Sequence, residues 1–392
     1  MQGMMFCGDV VAMNGSFTIN KALQEKLKSN VSFCNLEAPI LSKTGWVTPT
    51  LKAGPSLHTH DETISNLVAA GFSGFMLANN HIADYGEAGI DASIEQILES
   101  KAVYAGVKTT KHSKNPTLFY TINDTKIALV NAAESQFGTL DSSSAFLGAE
   151  YGYEDCFGWG FIAHLQELKK EVDVLIAVIH AGLENAPQPL PQFREFYKVL
   201  CDMGVDCIIA HHPHIIQGYE DYHTKDGREA RIFYSLGNFF FSYNRPITDP
   251  LELQGLSVVL RFDSGRIASY ELVFSQQVSN SVGIIDSSRL TQSIESLNAI
   301  LHDESAYKGA ILEIITQAYP QYMKYYECIF LSPSRDNGWL TNMKLFLKNL
   351  FFPHRHLEPR QALLLHNINI PTHRFVQELY LQYKLFHKVD SM

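Results

Sequence analysis

Polar residues that can bind metal ions or transfer protons follow directly after short apolar runs of the sequence. In an open α/β sheet, ligands bind beyond the carboxyl ends of the strands. Carboxylate, amide and imidazole groups together suit Mn, Zn or Fe, and they can hold two ions when a carboxylate bridges them. The polar groups, in chain order, are Gly8-Asp9, Asn35-Leu36-Glu37, Asn79-Asn80-His81, His180-Ala181-Gly182-Leu183-Glu184, His211-His212-Pro213-His214 and Ser235-Leu236-Gly237-Asn238.

Each of these groups taken alone has an ordinary structural explanation. Asp9 after a glycine is typical of a turn, and His180 after a buried strand is typical of a hydrogen-bonded core histidine. Glu37 suits the first turn of a helix. Three imidazoles around Pro213 favour a metal ion over a turn. The occurrence of all these groups after successive strands favours a shared metal centre.

The elements that must position these groups are short strands alternating with amphipathic helices from Met4 to about Leu236. That alternation is typical of βα units. The expected strands contain residues 4–7, 31–34, 74–78, 127–130, 174–179, 207–210 and 232–234, and the expected helices contain residues 64–70, 90–98 and 193–203. Residues 256–260 and 269–274 flank Asp263-Ser264-Gly265 and predict a hairpin.

The sequence changes character after about Ser279, where it becomes helical and aromatic-rich with no clear strand. We therefore expect a main α/β domain over residues 1–279 and a helical subdomain of unknown role over 280–392. From Trp339 onward seven basic residues face three acidic ones. This basic segment suits docking to an anionic membrane or a membrane-bound assembly, although packing as an ordinary helical subdomain is the favoured interpretation.

Composition limits the class of protein. The chain has 392 residues, 46% hydrophobic and 18% charged, as expected for a globular protein with a large core. Its formal net charge of -10 argues against nonspecific nucleic-acid binding. The six cysteines form no CxxC pair, which favours a reducing compartment. Because the sequence contains no signal-like segment and no long apolar run, we expect a soluble cytoplasmic protein.

The same segments resemble the CapA family of poly-γ-glutamate capsule-synthesis proteins, which belongs to the calcineurin-like metallophosphoesterase superfamily. The resemblance covers roughly the first two thirds of the chain. It implies a calcineurin-like sandwich of two β-sheets flanked by helices, with a helical C-terminal extension. The matching segments, in the family's order, are GDV at 8–10, NLE at 35–37, LANNHIADYG at 77–86, HAGLE at 180–184, AHHPHIIQGYE at 210–220 and YSLGNFFF at 234–241.

The resemblance also implies two divalent ions, with Glu37 bridging them. The other implied ligands are Asp9 and His214 for metal one, and Asn80, His180 and His212 for metal two. This chain departs from the superfamily at Val11, where a histidine usually stands two places after the first aspartate. The bridging acid is Glu37, where the superfamily mostly has aspartate. The first departure leaves metal one with fewer protein ligands.

In the expected mechanism, a hydroxide between the ions attacks phosphorus in line. His81 is the candidate general acid, and Asp84 either orients it or serves as a loop or cap residue. Glu184, as a catalytic support, and Glu220 are further candidates, and either would fix an imidazole tautomer. Glu220, Asn238 and Lys52 are the candidates for substrate binding; for Asn238 and Lys52 a turn and a solvated loop are the alternatives.

Two functions fit the sequence. One is a hydrolase acting on a phosphoester, or on an amide of a capsule polymer, with an anionic small molecule or polymer as substrate. The other is a noncatalytic, metal- or ligand-binding component of a polymer synthesis or export assembly. Val11 favours the second function, and the Asn80-His81 pair favours the first.

Overall fold

The computed structural model describes residues 2–15, 17–41, 47–242, 247, 249–285, 288–330, 339, 343 and 357–386. Their internal contacts divide the chain into two compact units. The first contains residues 1–50 and 56–307, and the second contains residues 51–55 and 308–392.

The first unit alternates strands and helices along most of its length. Its strands are β1 (Met4–Val11), β2 (Thr18–Ile19), β3 (Val31–Leu36), β4 (Phe72–Met76), β5 (Val103–Ala105), β6 (Val107–Lys108), β7 (Leu118–Ile122), β8 (Thr125–Ala133), β9 (Thr139–Leu140), β10 (Gly152–Glu154), β11 (Val174–His180), β12 (Cys207–His211), β13 (Tyr219–His223), β14 (Glu229–Phe233), β15 (Asn238–Phe241), β16 (Gln254–Asp263), β17 (Arg266–Val278) and β18 (Ser281–Ile284). The helices of the whole chain are α1 (Lys21–Lys28), α2 (Thr63–Ala70), α3 (Gly86–Glu99), α4 (Ser142–Phe146), α5 (Trp159–Lys169), α6 (Pro191–Asp202), α7 (Ser288–His302), α8 (Glu304–Phe330), α9 (Leu357–Asn369) and α10 (Pro371–Phe386), with a 3₁₀ turn at Pro250–Leu253.

Two large sheets form the body of the first unit. The first has the strand order β2-β18-β17-β16-β1-β3-β4-β5, with β15 also paired to β1. The second has the order β13-β14-β12-β11-β8-β7, and a small third sheet has the order β6-β10-β9. Neighbours β1, β3, β4 and β5 run parallel. Strands β8, β11, β12 and β14 also run parallel.

The core follows from the period-two alternation of strand residues. Phe6 on β1 packs in one cluster with Ile176 on β11 and Ile209 on β12, so this cluster fills the space between the sheets. The next residue, Cys7, packs in another cluster, with α2 residues such as Ile64. The expected two-sheet α/β sandwich flanked by helices is confirmed.

The local predictions agree with these elements in most places. Six of the seven expected strand segments lie inside a strand or extend at most one residue beyond it, and β4 ends at Met76, two residues before the run at 74–78 does. Helix α2 ends at Gly71, whose φ of 122° is a conformation that glycine adopts without strain. The hairpin is formed by β16 and β17.

One sequence expectation is wrong. A strand, β18, follows Ser279 and pairs with β17 along Ser281–Ile284. It is short and lies near the sheet edge, so its apolar signal is weak. The compact unit also continues to Tyr307, because α7 is bonded to the main unit through Asn298, which accepts a hydrogen bond from the backbone of Tyr219. The structural division therefore falls later than the boundary expected at residue 279.

The second unit is helical in its described residues. Aromatic rings hold its helices together: Tyr319 stacks on Tyr380 with ring centroids 3.9 Å apart, and Tyr322 lies 4.3 Å from His373. Much of the basic segment, including Lys344, lies outside the described residues, so its docking role stays a prediction. None of the described helices combines the length and apolar character needed to cross a bilayer.

Candidate metal centre

The six predicted ligands come together at the carboxyl edge of the two sheets. Parallel strands end at the same edge, which is why residues far apart in sequence meet there. The ligand positions are Asp9 in β1, Glu37 directly after β3, Asn80 after β4, His180 at the end of β11, and His212 and His214 after β12. All of them except His214 are buried.

Three candidate ligand atoms lie within 4 Å of the Nε2 atom of His180. The Nε2 atom of His180 lies 2.9 Å from Asn80 Oδ1 and 3.0 Å from His212 Nδ1. It also lies 3.8 Å from Glu37 Oε1. Ligands bonded to one ion at about 2 Å are separated from each other by roughly 3–4 Å. The spacing therefore suits a single cation held by the set that the sequence assigned to metal two.

A second set of ligand atoms lies on the other side of Glu37. The Nε2 atom of His214 is 3.5 Å from Glu37 Oε1. Asp9 Oδ2 lies on the other side of the same ring, 3.7 Å from Nδ1. Groups of ligand atoms within 4.8 Å of one another also form from Glu37 with His212 and His214, and from Glu37 with Asp9 and His180. Among the described residues Glu37 belongs to both of these groups, each of which combines ligands assigned to different ions, as a carboxylate between two ions would.

The Glu37 side chain itself fits a cation. Its carboxylate is fully buried, and neither oxygen has a hydrogen-bond partner among the described residues. Burial and the neighbouring charge of Asp9 raise the pKa of Glu37 well above its usual range. A buried carboxylate without partners is costly. A divalent cation would supply the missing partner, so the donor set fits the ions implied by the sequence.

The rings of His180 and His212 are neutral at pH 7. Burial, reinforced by the neighbouring His212, holds the pKa of His180 well below its usual range. Burial likewise lowers the pKa of His212 to about 4. At pH 7 both rings are therefore uncharged. Metal ions bind neutral imidazole.

These pKa shifts predict a pH-dependent stability of the metal-free protein. The unfolded chain protonates His212 near pH 6.5 and the folded chain near 4. Unfolding therefore takes up a proton at His212 between these values, so the stability that neutral His212 contributes is lost as the pH falls through this window. The loss from His212 is about 3 kcal/mol, and the shift of His180 acts in the same direction.

Urea unfolding in EDTA at pH 7 and pH 4.5 measures this loss. The His212→Gln variant should lose less stability between the two pH values than the wild type does. The exposed His223 supplies the control, because His223→Gln should leave the difference unchanged. An identical pH dependence in all three proteins would contradict the prediction.

Asp9 is held by residues that the sequence did not single out. Asn35 donates from Nδ2 to Asp9 Oδ1 at 2.7 Å, and His211 Nδ1 lies 3.1 Å from the same oxygen. The backbone N–H of His212 donates to Oδ2 at 3.3 Å. Burial opposes ionisation of Asp9, but the hydrogen bond from His211 and the neighbouring imidazoles outweigh it and lower its pKa. Asn35 and His211 were visible in the strand-end motifs, although neither was assigned a role.

Glu134 is a buried acid that sequence reasoning missed. It follows β8 directly, and its Oε1 atom accepts a hydrogen bond from the Gly182 backbone at 3.0 Å. The same oxygen lies 3.9 Å from Nε2 of the ligand His212. The rule that polar residues follow strand ends would have found Glu134, had it been applied to the strand at 127–130.

His81 and Asp84 form a buried pair beside the ligands. His81 Nδ1 lies 2.7 Å from Asp84 Oδ2, which also accepts the backbone N–H of Leu57 at 2.7 Å. Because that oxygen accepts from the backbone, His81 donates from Nδ1. A proton that His81 passes to a substrate would therefore leave from Nε2.

The other predicted site residues have different surroundings. Glu184 is exposed, and its charge acts on both Glu37 and His212. Asn238 contacts the ligand His214, with 3.0 Å between Oδ1 and Nδ1. Lys52 belongs to the Leu51–Pro55 segment of the second unit, so its role stays a prediction.

The structure does not place Glu220 among the ligands. Its carboxylate is bound by Arg194 through Nε at 2.8 Å and Nη2 at 2.6 Å. Lys198 and the Tyr234 hydroxyl bind the same carboxylate. With both oxygens engaged, Glu220 ties α6 to β13 and the end of β14. Glu220 therefore forms a structural salt bridge and does not have the predicted role near a bound substrate.

Val11 lies in an apolar wall next to the centre. It pairs with Phe241 across β1 and β15 and packs with Ala38 and Leu57. Phe241 in turn meets the His214 ring edge-on, with centroids 5.1 Å apart. Val11 has no atom that can bind a metal ion. Metal one therefore has Asp9, Glu37 and His214 as its candidate ligands.

Comparisons with known proteins agree with the motif analysis. The family model described as "Bacterial capsule synthesis protein PGA_cap" matches residues 5–243. "Capsule biosynthesis protein CapA" of Bacillus anthracis is 28% identical over 203 residues, which are 48% of this chain and 46% of that protein. "PGA biosynthesis protein CapA" of Bacillus subtilis (strain 168) is 27% identical over 189 residues, which are 47% of each. The chain thus matches about half the length of these relatives.

Solved structures give distant matches. Calcineurin-like phosphoesterase YfkN from Bacillus subtilis has a TM-score of 0.40 and 14% identity, covering 77% of this chain and 99% of that one. A putative 5'-nucleotidase from Staphylococcus aureus, solved with alpha-ketoglutarate, has a TM-score of 0.43 and 12% identity. This match covers 75% of this chain and 58% of that one. At this distance the similarity assigns no residue and no activity.

Proposed function

This chain belongs to the bacterial capsule synthesis protein family PGA_cap, and from that premise we propose that it is a metal-dependent hydrolase acting on a phosphoester. Two divalent ions, Mn, Zn or Fe, would share Glu37. The substrate would be an anionic small molecule or polymer. The observation that carries the proposal is the buried Glu37 carboxylate, without hydrogen-bond partners among the described residues, between two sets of ligand atoms.

Each ligand side chain has a defined task in this proposal. Asp9, Glu37 and His214 would hold one ion, leaving open coordination positions of the kind that catalytic sites keep. Asn80, His180 and His212, with Glu37, would hold the other. When bound, the ions supply a nucleophile from water at neutral pH and neutralise charge on the phosphoryl oxygens.

His81 would deliver a proton to the leaving group. Asp84 holds the Nδ1 proton of His81 at 2.7 Å, which keeps Nε2 facing the substrate and stabilises the charged imidazolium before the transfer. The bond between phosphorus and the leaving oxygen breaks as that oxygen takes the Nε2 proton. The apolar wall of Val11, Leu57 and Phe241 limits the access of water on one side.

A second candidate function is a noncatalytic metal- or ligand-binding component of capsule polymer synthesis or export. It is favoured by Val11, which places an apolar side chain where the superfamily usually has a ligand. In this alternative the same centre would bind an anionic ligand and cleave nothing.

A metal-dependent activity screen separates these functions. The purified chain would be loaded with Mn, Zn or Fe and assayed on a phosphomonoester, a phosphodiester and a γ-glutamyl amide. We expect phosphoester hydrolysis that disappears with EDTA and returns with metal. Full metal content without hydrolysis of any substrate would support the noncatalytic function instead. Hydrolysis of the amide alone would show that the substrate is an amide and not a phosphoester.

A further inference from the structure

We infer that Asn238 is a positioning residue, which fixes the proton of His214 on Nδ1 and thereby presents Nε2 to the metal centre. Sequence analysis placed Asn238 near the substrate, but its contacts assign it this different task. The consequence for metal binding rests on the proposed function. The tautomer itself is a property of the metal-free chain and can be tested separately.

The orientation of the Asn238 amide is determined by its two ends. The residue begins β15, is 2% exposed and pairs with Asp9 of β1. Its Nδ2 atom donates to the backbone carbonyl of Glu252 at 2.9 Å. A carbonyl oxygen only accepts hydrogen bonds, so the NH₂ group must face Glu252. The amide oxygen therefore faces His214 Nδ1, 3.0 Å away.

An amide oxygen at that distance requires a proton on the facing nitrogen. Since Oδ1 only accepts, His214 must donate from Nδ1. A neutral imidazole carries one proton, so Nε2 then holds the free electron pair. That atom lies 3.5 Å from Glu37 Oε1. Two hydrogen bonds, from Asn238 to the Glu252 carbonyl and from His214 to Asn238, thus direct the lone pair of His214 Nε2 toward the Glu37 carboxylate.

The backbone conformation explains why the tautomer of His214 has to be fixed. His212 has a φ of 98° and His214 a φ of 61°, on either side of Pro213. Such left-handed angles are uncommon and strained outside glycine, and they recur at functional sites. With both Cβ directions fixed, the two rings face the centre through different atoms: His212 presents Nδ1 to His180 at 3.0 Å. His214 must present Nε2, so its tautomer has to differ from that of its neighbour.

Nitrogen-15 NMR tests the tautomer directly. Long-range ¹H–¹⁵N correlations of histidine-labelled, metal-free protein at pH 8 report which ring nitrogen is protonated, and His214→Gln identifies the signal. We expect the Nδ1–H form in the wild type. Asn238→Leu removes the acceptor and should shift His214 toward Nε2–H, whereas Asn238→Asp keeps an acceptor and the Nδ1–H form. An Nε2–H tautomer in the wild type would overturn the inference.

Cobalt titration tests the consequence for metal binding. Asn238→Leu should weaken one of two binding steps about 10–100-fold and leave the other unchanged, and Asn238→Asp should recover most of that affinity. Gln217→Leu is the matched control, because it also removes a buried amide bonded to a carbonyl, that of Ala186, and should bind both ions normally.

The outcomes separate the two claims. A wild type that shows Nδ1–H on His214 but binds no cobalt would defeat the proposed metal centre and leave the positioning role intact. Full cobalt affinity in Asn238→Leu, together with an unchanged tautomer, would overturn the positioning role while the metal centre stands.

Discussion

Replacing Glu37 by glutamine is expected to abolish metal binding while making the metal-free protein more stable. Glutamine keeps the shape of the side chain and removes a buried carboxylate, whose pKa burial and Asp9 raise well above the usual range. The gain at pH 7 should be up to about 3 kcal/mol, because each pH unit above the ordinary pKa of the carboxyl adds about 1.4 kcal/mol while the folded protein keeps it protonated. Because the raised pKa makes ionisation costly above pH 4.5, this gain should grow as the pH rises.

Added metal ions should make the wild type more stable than the Glu37→Gln variant. Ions at a hundred times their dissociation constant stabilise a folded protein by about 2.7 kcal/mol per site, and only the wild type should show this. Thermal unfolding with EDTA and with added Mn or Zn, alongside metal analysis, measures both effects. Glu195→Gln is the control, since that exposed carboxylate on α6 should affect neither metal content nor metal-free stability. A Glu37→Gln variant that keeps its metal would contradict the account.

Replacing His81 by glutamine is expected to lower kcat about 10²–10⁴-fold without loss of metal. The side chain is bound to Asp84 and is not among the proposed ligands, so only proton delivery should fail. Asp84→Asn should cause a smaller loss, because His81 remains but its tautomer is no longer fixed.

The leaving group distinguishes proton delivery from general disruption. A p-nitrophenyl ester needs little protonation of its leaving oxygen, whereas an alkyl ester needs much. The loss in His81→Gln should therefore be large for the alkyl ester and small for the nitrophenyl ester. Equal losses on both substrates would assign His81 to binding or folding and remove it from the proton-transfer step.

Much of the site could be anticipated because strand ends obey a simple rule. Parallel strands bring the residues at their carboxyl ends to one edge of the sheet, so Asp9, Glu37 and His180 could be placed together from their positions after apolar runs. The continuous apolar runs of β1 and β11 also predicted that these strands are buried. Neither inference needed a long-range contact, which is why both could be drawn from sequence.

Residues whose role depends on a distant partner could not be assigned in this way. Glu220 comes only a few residues after a ligand motif, yet Arg194 on α6 neutralises it. Asn238 resembles a turn residue until the Glu252 carbonyl fixes its amide. Strand β18 escaped notice because pairing to β17, and not its own composition, makes it a strand.

The most direct test is anomalous diffraction from crystals of the full chain loaded with Mn or Zn. The account predicts two peaks about 3.5–4 Å apart, with the Glu37 carboxylate between them, His180 and His212 beside one peak and Asp9 and His214 beside the other. A fully loaded crystal with a single ion, or with ions away from Glu37, would contradict the central claim.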